Sequence, residues 1–209
     1  MFALLARIQE KLARTWFTAR FCKTLRKLGP GAYIVSPFRL DGPAAIDIGA
    51  GTFMQRGGWL YCGGIDSAHP PSLTLGKHCV FGYNNHITCV RSVDIGDFVL
   101  TANNVYISDN VHGYEDISRP VMQQPVVFKG AVSIGSGSWI GENAAIIGAR
   151  IGRNCVVGAN SVVTHDVPDF SVVAGVPARV IRQYDPETDS WVKRQGQAGA
   201  VHAEHKGST

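Results

Sequence analysis

His112 is the residue of this chain best suited to acid–base chemistry, and it lies early in a polar segment that spans about 108–131. Three acidic residues accompany it there, namely Asp109, Glu115 and Asp116. An imidazole oriented by a carboxylate can take up a proton near neutral pH, as a general base does. An exposed histidine in an ordinary polar loop would have the same composition, and composition alone favours this simpler interpretation.

The chain on both sides of this segment repeats about every six residues. Most repeats open with an aliphatic residue that a small residue usually follows; the openers are Leu75, Phe81, Ile87, Ile95, Thr101, Ile107, Ile134, Ile140, Ile146, Ile151, Val157 and Val163. A period of about six matches neither an α-helix nor a simple strand, but it is typical of a solenoid with one inward side chain per repeat. The longer spacing between Ile87 and Ile95 indicates a bulged corner.

Slim residues recur at the fifth place of each repeat, where a tight inward corner would exclude large side chains. They are Cys79, Val99, Val105, Ser138, Ala144, Cys155 and Ser161. A parallel sheet with helical crossovers would need long amphipathic segments between its strands, and none occurs between Leu73 and Ala174. We therefore predict an all-β solenoid whose regular repeats are interrupted by the polar segment, the usual place for function in such a fold.

Composition is typical of one turn-rich β domain, with 24 glycines and only 17% charged residues in a chain of 209. Five cysteines without a CxxC pair argue against a disulfide framework or a zinc knot and predict a reducing, cytoplasmic location. No apolar run approaches the roughly 18 residues needed to cross a bilayer. Basic residues interrupt the apolar N-terminal segments, which is unlike a signal peptide.

Positive charge is concentrated in residues 1–28, which contain seven basic residues and one acidic residue. That segment has a net charge of +6, which leaves −2 for the rest of a chain whose total is +4. A nucleic-acid-binding protein would show a broader basic face together with a recognisable motif, so no nucleic-acid partner is expected.

Residues 2–28 lack glycine and proline and predict helix. Apolar residues share one helical face up to Trp16 and the opposite face beyond it; the first set is Leu5, Ile8, Leu12 and Trp16, opposite Arg7, Lys11 and Arg14, and the second is Phe17, Phe21, Leu25 and Leu28. This exchange predicts two short helices, or one helix kinked near 15–18. A cap on the end of the solenoid is the preferred interpretation, and contact with an anionic membrane stays open beside it.

Several motifs follow one another in the order found in one known family. They are Ile95-Gly-Asp97, Ile107 to Tyr114, Trp139 to Asn143, Gly158 to Pro168 and Ala174 to Arg182. In these motifs the chain resembles the hexapeptide-repeat acyltransferases, above all the maltose, galactoside and nodulation-factor acetyltransferases and the O-acetyltransferases of surface-polysaccharide synthesis. The resemblance covers most of residues 40–185. It implies a left-handed parallel β-helix, an exception to right-handed crossovers.

The resemblance also implies a domain layout and partners. Residues 1–28 would form the N-terminal cap, 29–184 the β-helical acyltransferase domain with its catalytic loop at 108–131, and 185–209 a tail that is partly disordered from about Gly196. Family members are homotrimers with active sites between neighbouring subunits. Acetyl-CoA would donate the acyl group, a carbohydrate would accept it, and no metal would be needed.

The family motifs assign roles to individual residues. His112 would remove the proton of an acceptor hydroxyl, and a backbone N–H near Glu142 would face the developing oxyanion. The coenzyme would contact Trp139, Gly141, Ala159, Thr164, His165, Arg179 and Arg182. Candidates for contact with the acceptor are Tyr83, Asn84, His86, Asp109 and Tyr114.

Two positions depart from the family pattern. His165 stands where lysine is common, and Gly82 stands where the sugar acetyltransferases have an acceptor-binding asparagine, so a different acceptor is implied. We expect O-acetylation of a sugar hydroxyl by direct transfer. The alternatives are N-acetylation of an amino sugar or an antibiotic, a non-catalytic trimeric scaffold and a γ-type carbonic anhydrase. The last needs three histidines around a metal, and this chain lacks that family's close histidine pair.

Overall fold

The computed structural model describes residues 2–194, and it describes side-chain surroundings at residue 8 and from residue 11 onward. The disorder predicted from Gly196 falls outside these residues. Within them, one helix precedes a column of short strands that form three sheets around a shared core. The predicted β-solenoid is confirmed.

Each turn of the solenoid contributes one strand to each of the three sheets, which we call A, B and C. Sheet A contains β1 (Lys27–Leu28), β4 (Ile46–Ile48), β7 (Ser72–Leu75), β10 (Ser92–Ile95), β15 (Val132–Ile134) and β18 (Arg150–Ile151). Sheet C contains β3 (Arg39–Asp41), β6 (Trp59–Cys62), β9 (His86–Cys89), β12 (Tyr106–Ser108), β17 (Ala145–Ile147) and β20 (Val162–Val163). All neighbouring strands in these two sheets are parallel.

Sheet B begins in the same way and ends differently. It contains β2 (Tyr33–Ile34), β5 (Phe53–Met54), β8 (Val80–Phe81), β11 (Leu100–Thr101), β16 (Trp139–Ile140), β19 (Val156–Val157), β21 (Ser171–Gly175), β22 (Ala178–Asp185) and β23 (Ser190–Lys193). At its end, β22 pairs antiparallel with β21, and β23 pairs antiparallel with β22. Regular structure therefore continues past the predicted domain end at 184, into the segment expected to be a tail.

The repeat openers point into the core, as the sequence predicts. All twelve are at most 2% exposed, and so are the slim residues at the fifth places. Between sheets B and C the chain turns through asparagines with positive φ; these are Asn84, Asn104, Asn143 and Asn160. Asparagine tolerates this left-handed conformation better than most side chains, so the turn is repeated from one coil to the next.

The outer faces of the three sheets differ in chemistry. Sheet A is polar outside, with Asp47, Thr74, Asp94, Ser133 and Arg150 in one row. Sheet B is apolar outside, with Phe53, Val80, Leu100, Trp139, Val156 and Val172 in one row. Sheet C carries Arg39, Trp59, His86, Tyr106, Ala145 and Val162. Two of the three faces thus present apolar or aromatic side chains to the surroundings.

The N-terminal segment forms one continuous helix, α1 (Phe2–Phe21), so two separate short helices, one of the two predicted alternatives, are not formed. The helix ends at Phe21, and Leu25 lies in the turn that follows. Phe17 and Leu25 are buried in the core, which anchors the end of the helix to the solenoid. Because the chain leaves the helix before Leu25, no single helix has to present both apolar stripes to one surface.

The stripe that precedes Phe17 stays exposed. Ile8, Leu12 and Trp16 are 46%, 63% and 54% exposed. The side chains of Leu5 and Arg7, which the sequence places on and opposite this stripe, lie outside the described side chains. Helix α1 therefore uses one face near its end for packing, and it leaves an apolar row uncovered by the described residues.

Candidate active site

His112 ends the strand β13 (Asn110–His112), which pairs antiparallel with β14 (Val126–Phe128). This hairpin leaves the solenoid at the corner that follows β12. The His112 side chain is exposed and borders a cleft of about 720 Å³, lined by residues in 111–116 and 124–129. An exposed imidazole beside a cleft can meet a substrate, which a histidine buried in the core could not.

Asp109 fastens the base of this hairpin to the solenoid. Its fully buried carboxylate accepts hydrogen bonds from the backbone N–H groups of Val90, Arg91 and Ser92 at 2.7 to 3.1 Å. Its backbone carbonyl accepts a hydrogen bond from the N–H of Lys129 at 2.8 Å, which joins the two ends of the loop. Asp109 is thus structural, and the expectations that it orients His112 or contacts the acceptor are wrong, because its carboxylate is enclosed and occupied.

The other acidic residues of the loop form no hydrogen bond or ion pair with His112 either. Asp116 accepts hydrogen bonds from the Ser118 hydroxyl and the Arg119 guanidinium, and these hold the pKa of Asp116 below its ordinary value. Glu115 is exposed. Within the described residues the His112 imidazole forms no hydrogen bond, so the predicted carboxylate partner is not provided by this part of the chain.

Arg91 is a residue near the site that the sequence did not single out. Its guanidinium lies 4.7 Å from the centre of the Phe128 ring in β14 and pairs with Asp66 at 3.0 Å. Asp66 also bonds His69, and this bond, together with Arg91, lowers the pKa of Asp66. Arg91 thereby connects the loop at 63–71 to the hairpin that carries His112. The sequence could have drawn attention to Arg91, because Arg91 lies in the bulged corner predicted between Ile87 and Ile95.

A second group of predicted residues lies at the corner between sheets B and C. The side chain of Glu142 accepts hydrogen bonds from the backbone N–H of Asn103 at 3.0 Å and from the Asn104 amide at 3.3 Å. The Asn103 side chain accepts the N–H of Tyr83, and Asn84 donates to Asn104. The backbone N–H of Glu142 has no partner among the described residues. It is therefore available to a developing oxyanion.

Trp139 lies on the outer face of sheet B between Leu100 and Val156, and it is 49% exposed. It is therefore not a core residue, as its place outside the repeat openers predicts. Gly141 is different, because it is buried and its N–H already donates to the carbonyl of Val157 at 2.8 Å. A Cβ there would lie 2.6 Å from the backbone nitrogen of Ala159. Gly141 thus allows close spacing of the coils, and its N–H is not free for a coenzyme.

The residues expected to contact coenzyme phosphates gather near the C-terminal coils. His165 and Arg179 line one depression of about 260 Å³. The Thr164 hydroxyl lies 3.0 Å from Nδ1 of His165. Arg182 is exposed on β22, opposite Lys193 of β23. This group combines several cationic side chains with a hydroxyl, which suits phosphate groups.

His86 is enclosed in an aromatic row on the outer face of sheet C. Its ring stacks on Trp59 with centroids 4.0 Å apart and lies 5.2 Å from Tyr106. Burial in this row lowers the pKa of His86 and so favours its neutral form. Both ring faces are therefore occupied, and only the ring edge could meet an acceptor. Tyr114, in the hairpin loop, is 70% exposed.

The predicted site residues thus fall at opposite edges of sheet C. His112, Thr164 and His165 follow strands of sheet C, whereas Tyr83, Asn84, Glu142 and Ala159 precede strands of that sheet. The width of the sheet separates the two groups within one chain. Neither group alone contains both the proposed base and the proposed oxyanion donor.

Comparison with known proteins agrees with the repeat pattern. A family model described as the hexapeptide repeat of succinyl-transferase matches residues 72–109 and 131–165. A probable acetyltransferase of Mycobacterium tuberculosis is 30% identical over 195 residues, which is 90% of this chain and 65% of that protein. In these comparisons the chain is similar to the hexapeptide-repeat acyltransferases.

Two further relatives of this hexapeptide-repeat chain come from Escherichia coli. A putative lipopolysaccharide biosynthesis O-acetyl transferase is 41% identical over 52% of this chain and 59% of the relative. A galactoside O-acetyltransferase is 36% identical over 54% of each. The chain therefore spans between about half and two thirds of the length of these three relatives.

Solved structures share the fold of this hexapeptide-repeat chain. An N-acyltransferase from Bacillus cereus has a TM-score of 0.67 at 18% identity, and the match covers 81% of this chain and 90% of that one. A hexapeptide-repeat acetyltransferase from Vibrio cholerae has a TM-score of 0.53 at 23% identity, with 86% and 87% covered. The fold is the left-handed parallel β-helix.

Proposed function

We propose that this protein is an acetyl-CoA-dependent O-acetyltransferase that acetylates a sugar hydroxyl during surface-polysaccharide synthesis. The observation that carries the proposal is the exposed His112 beside its cleft, on the hairpin that interrupts the repeat. Two of its relatives are named for O-acetyl transfer in lipopolysaccharide biosynthesis and for galactoside O-acetylation, and these names support the acceptor class.

In the proposed reaction His112 takes the proton of the acceptor hydroxyl as its oxygen attacks the thioester carbonyl. The backbone N–H of Glu142 stabilises the oxyanion of the tetrahedral intermediate. The intermediate then expels the thiolate of CoA, which takes the proton back from His112. The acetyl group leaves the sulfur and ends on the sugar oxygen, so no covalent acyl-enzyme is needed.

The donor is proposed to be acetyl-CoA, with its phosphates near His165, Arg179 and Arg182. Trp139, Ala159 and Thr164 would contact the rest of the coenzyme. Support comes from solved relatives of the same fold, since the Vibrio cholerae protein was solved with acetyl coenzyme A and the Bacillus cereus enzyme with dTDP and coenzyme A. No group of metal-ligating side chains occurs among the described residues.

The test is an acceptor screen with labelled acetyl-CoA, in which sugars that offer only hydroxyls are compared with amino sugars and aminoglycosides. Labelled ester on a hydroxyl acceptor is the expected product. Label on amines alone would support the N-acetyltransferase alternative. Coenzyme binding without any transfer would support a non-catalytic scaffold.

We further propose that the working unit is a homotrimer. The support is that sheets B and C have apolar outer faces, and that the base and the oxyanion donor lie at opposite edges of sheet C. Contact between neighbouring copies would bring His112 of one copy to the Glu142 edge of another. Such a heterologous contact closes into a ring when its rotation allows.

Light scattering of the purified protein should give roughly three times the chain mass of 22.5 kDa. Leu100→Glu is expected to dissociate the trimer, because it puts a charge into the exposed apolar row of sheet B. Thr74→Glu, on the polar outer face of sheet A, is the matched control and should stay trimeric. An active monomer would contradict both the trimer and the shared site.

We also propose that residues 2–28 touch an anionic membrane from the cytoplasmic side. No described helix is long and apolar enough to cross a bilayer. Support comes from the exposed row of Ile8, Leu12 and Trp16, which basic residues such as Lys11 and Arg20 accompany on the same helix. An amphipathic helix of this kind can lie in the interface, where tryptophan prefers to sit.

Trp16→Ser is expected to weaken binding to vesicles that contain phosphatidylglycerol by roughly tenfold, since it removes a large apolar contact. Co-sedimentation measures this, and added salt should weaken binding of the unaltered protein as well. Trp191→Ser is the control, because Trp191 is also exposed but lies in β23. Equal losses for both variants, or equal binding to neutral phosphatidylcholine vesicles, would refute the proposal.

A further inference from the structure

A groove lies between helix α1 and the first strands of sheet B. Its volume is about 830 Å³. The side chains around it come from the helix, from the first two strands of sheet B with their flanking turns, and from the corner after β8; they include Arg14, Tyr33, Ser36, Phe53, Gln55, Arg56 and Tyr83. Of these residues, only Tyr83 was predicted from the sequence to lie in the active site.

The groove is positively charged, and no described side chain neutralises its charges. Arg14 and Arg56 are exposed, and neither forms an ion pair or a side-chain hydrogen bond with a residue whose side chain is described. By contrast, Arg26 and Arg153 each pair with an aspartate at 2.9 Å. None of the described residues that line the groove is acidic. Two free guanidinium groups flanking one groove are suited to an anionic ligand.

The rest of the lining is aromatic and polar. Tyr33 and Phe53 stack with ring centroids 5.4 Å apart, and Tyr83 is 49% exposed. Gln55 and Ser36 add groups that can donate and accept hydrogen bonds. Aromatic surface next to hydrogen-bonding side chains suits a sugar ring, which has an apolar face and polar hydroxyls.

Two glycines line the groove, and one of them keeps it open. Gly31 has a φ of +74°, and a Cβ built there would meet no atom within 4 Å, so the space above it is empty. Gly51, with a φ of +68°, also lines the groove, but a Cβ there would lie 2.6 Å from Nδ1 of His78, so this glycine makes room for His78. Glycine is the residue best suited to these left-handed conformations, and the lack of a side chain at Gly31 leaves space that a ligand could occupy.

Tyr83 connects the groove to the proposed reaction centre. It lines the groove, and its backbone N–H donates to Asn103, whose own N–H donates to the Glu142 carboxylate. A ligand in the groove would therefore extend toward the edge that carries the proposed oxyanion donor. The Gly82 that replaces the family's asparagine adjoins Tyr83 at this corner.

We infer that this groove binds an acidic saccharide, with its negative group between Arg14 and Arg56 and its ring against Tyr83 and Phe53. That this saccharide is the acetyl acceptor rests on the proposed function, whereas the binding itself does not. The negative group is either a phosphate or a carboxylate, and both would meet the same guanidinium pair.

Calorimetric titration of the purified full chain tests the inference without any acetyl transfer. The probes are glucose 1-phosphate, glucuronic acid, glucose and inorganic phosphate. We expect at least one acidic sugar to bind more than tenfold tighter than glucose and than inorganic phosphate, with affinity that falls as salt rises. The stronger of the two acidic probes identifies the negative group. If inorganic phosphate bound as tightly as the acidic sugars, the groove would be an anion site without a saccharide site, and the inference would be wrong. If glucose bound as tightly as the acidic sugars, the arginines would not contribute to binding, and the inference would also be wrong.

Variants locate the site. The double variant with Arg14→Gln and Arg56→Gln is expected to bind the acidic sugar at least tenfold more weakly. Tyr83→Ala should weaken binding of the acidic sugar about fivefold. Lys23→Gln is the matched control, since Lys23 is exposed on the same N-terminal segment but does not line the groove. Circular dichroism checks that the variants fold. Unchanged affinity in the double arginine variant would overturn the inference.

The proposed function can fail separately. A protein that binds the acidic sugar in the groove but transfers no acetyl group to any acceptor would refute the acetyltransferase, and the groove would stand. Acetylation of neutral sugars at an unchanged rate in the double arginine variant, without acidic-sugar binding in the unaltered protein, would refute the groove alone.

Discussion

His112→Ala is expected to lower kcat for acetyl transfer by roughly 100-fold or more, because the reaction loses the group that takes the acceptor proton. The change should leave the fold intact. The imidazole is exposed and forms no hydrogen bond with a described residue. Its removal therefore opens no buried cavity and leaves no described donor or acceptor without its partner. Acetyl-CoA affinity and the mass of the assembly should therefore match those of the unaltered protein.

The measurement is steady-state transfer of labelled acetyl to the acceptor found in the screen, with acetyl-CoA binding measured in parallel. His69→Ala is the control, since His69 is also an exposed histidine in a loop but is bonded to Asp66. Its turnover should stay within about twofold of the unaltered protein. Near-native turnover by His112→Ala would remove this residue from the mechanism.

Asp109→Ala is expected to lower the free energy of unfolding by about 3 kcal/mol or more. Three backbone donors, the buried one of Val90 and the partly buried ones of Arg91 and Ser92, would lose their acceptor, and each unsatisfied buried donor costs about 1–3 kcal/mol. The hairpin that carries His112 would also lose its fastening to the preceding coil. We therefore expect turnover to fall further than acetyl-CoA affinity.

Urea unfolding gives the change in stability, and limited proteolysis within the hairpin reports its loosening. Asp116→Ala is the matched control, because Asp116 lies in the same loop and bonds only exposed partners, Ser118 and Arg119. It should unfold at nearly the same urea concentration as the unaltered protein. If Asp109→Ala did the same, the buried hydrogen bonds would not be what fastens the hairpin.

The fold could be read from the sequence because the information it needs is local. Apolar side chains that recur about every six residues can all face the core only if each side of a solenoid coil is about six residues long. Openers such as Ile134 and Ile140, and slim corner residues such as Ser138, are accordingly buried. The interruption at 108–131 was visible for the same reason, as was the outward position of Trp139.

The N-terminal helix shows where local pattern is insufficient. The exchange of apolar faces after Trp16 suggested two short helices or a kink, but one continuous helix runs to Phe21 and the chain then turns away. Packing of Phe17 and Leu25 into the core decides that geometry, and the partners of those side chains lie in the solenoid. Propensity within the segment does not contain this information.

The roles of the site residues depended on contacts between distant parts of the chain. The sequence predicted that Asp109 orients His112, but the Asp109 carboxylate is enclosed by backbone donors from the preceding coil. Gly141 reads as a coenzyme contact, yet its N–H bonds the next coil at Val157. Stacking of coils brings these groups together, and a residue's neighbours along the chain do not reveal which coil will face it.

The repeat, the solenoid, the interrupting loop and the place of His112 early in that loop were thus determined by the order of residues, because each follows from spacing along the chain. Only the tertiary structure decided which of the candidate site residues lie close together and which lie apart. It separated His112 from Glu142 by the width of sheet C and set Arg14 of the helix beside the same groove as Arg56 of the first coils. Both outcomes depend on how coils and helix pack, which is a property of the whole chain.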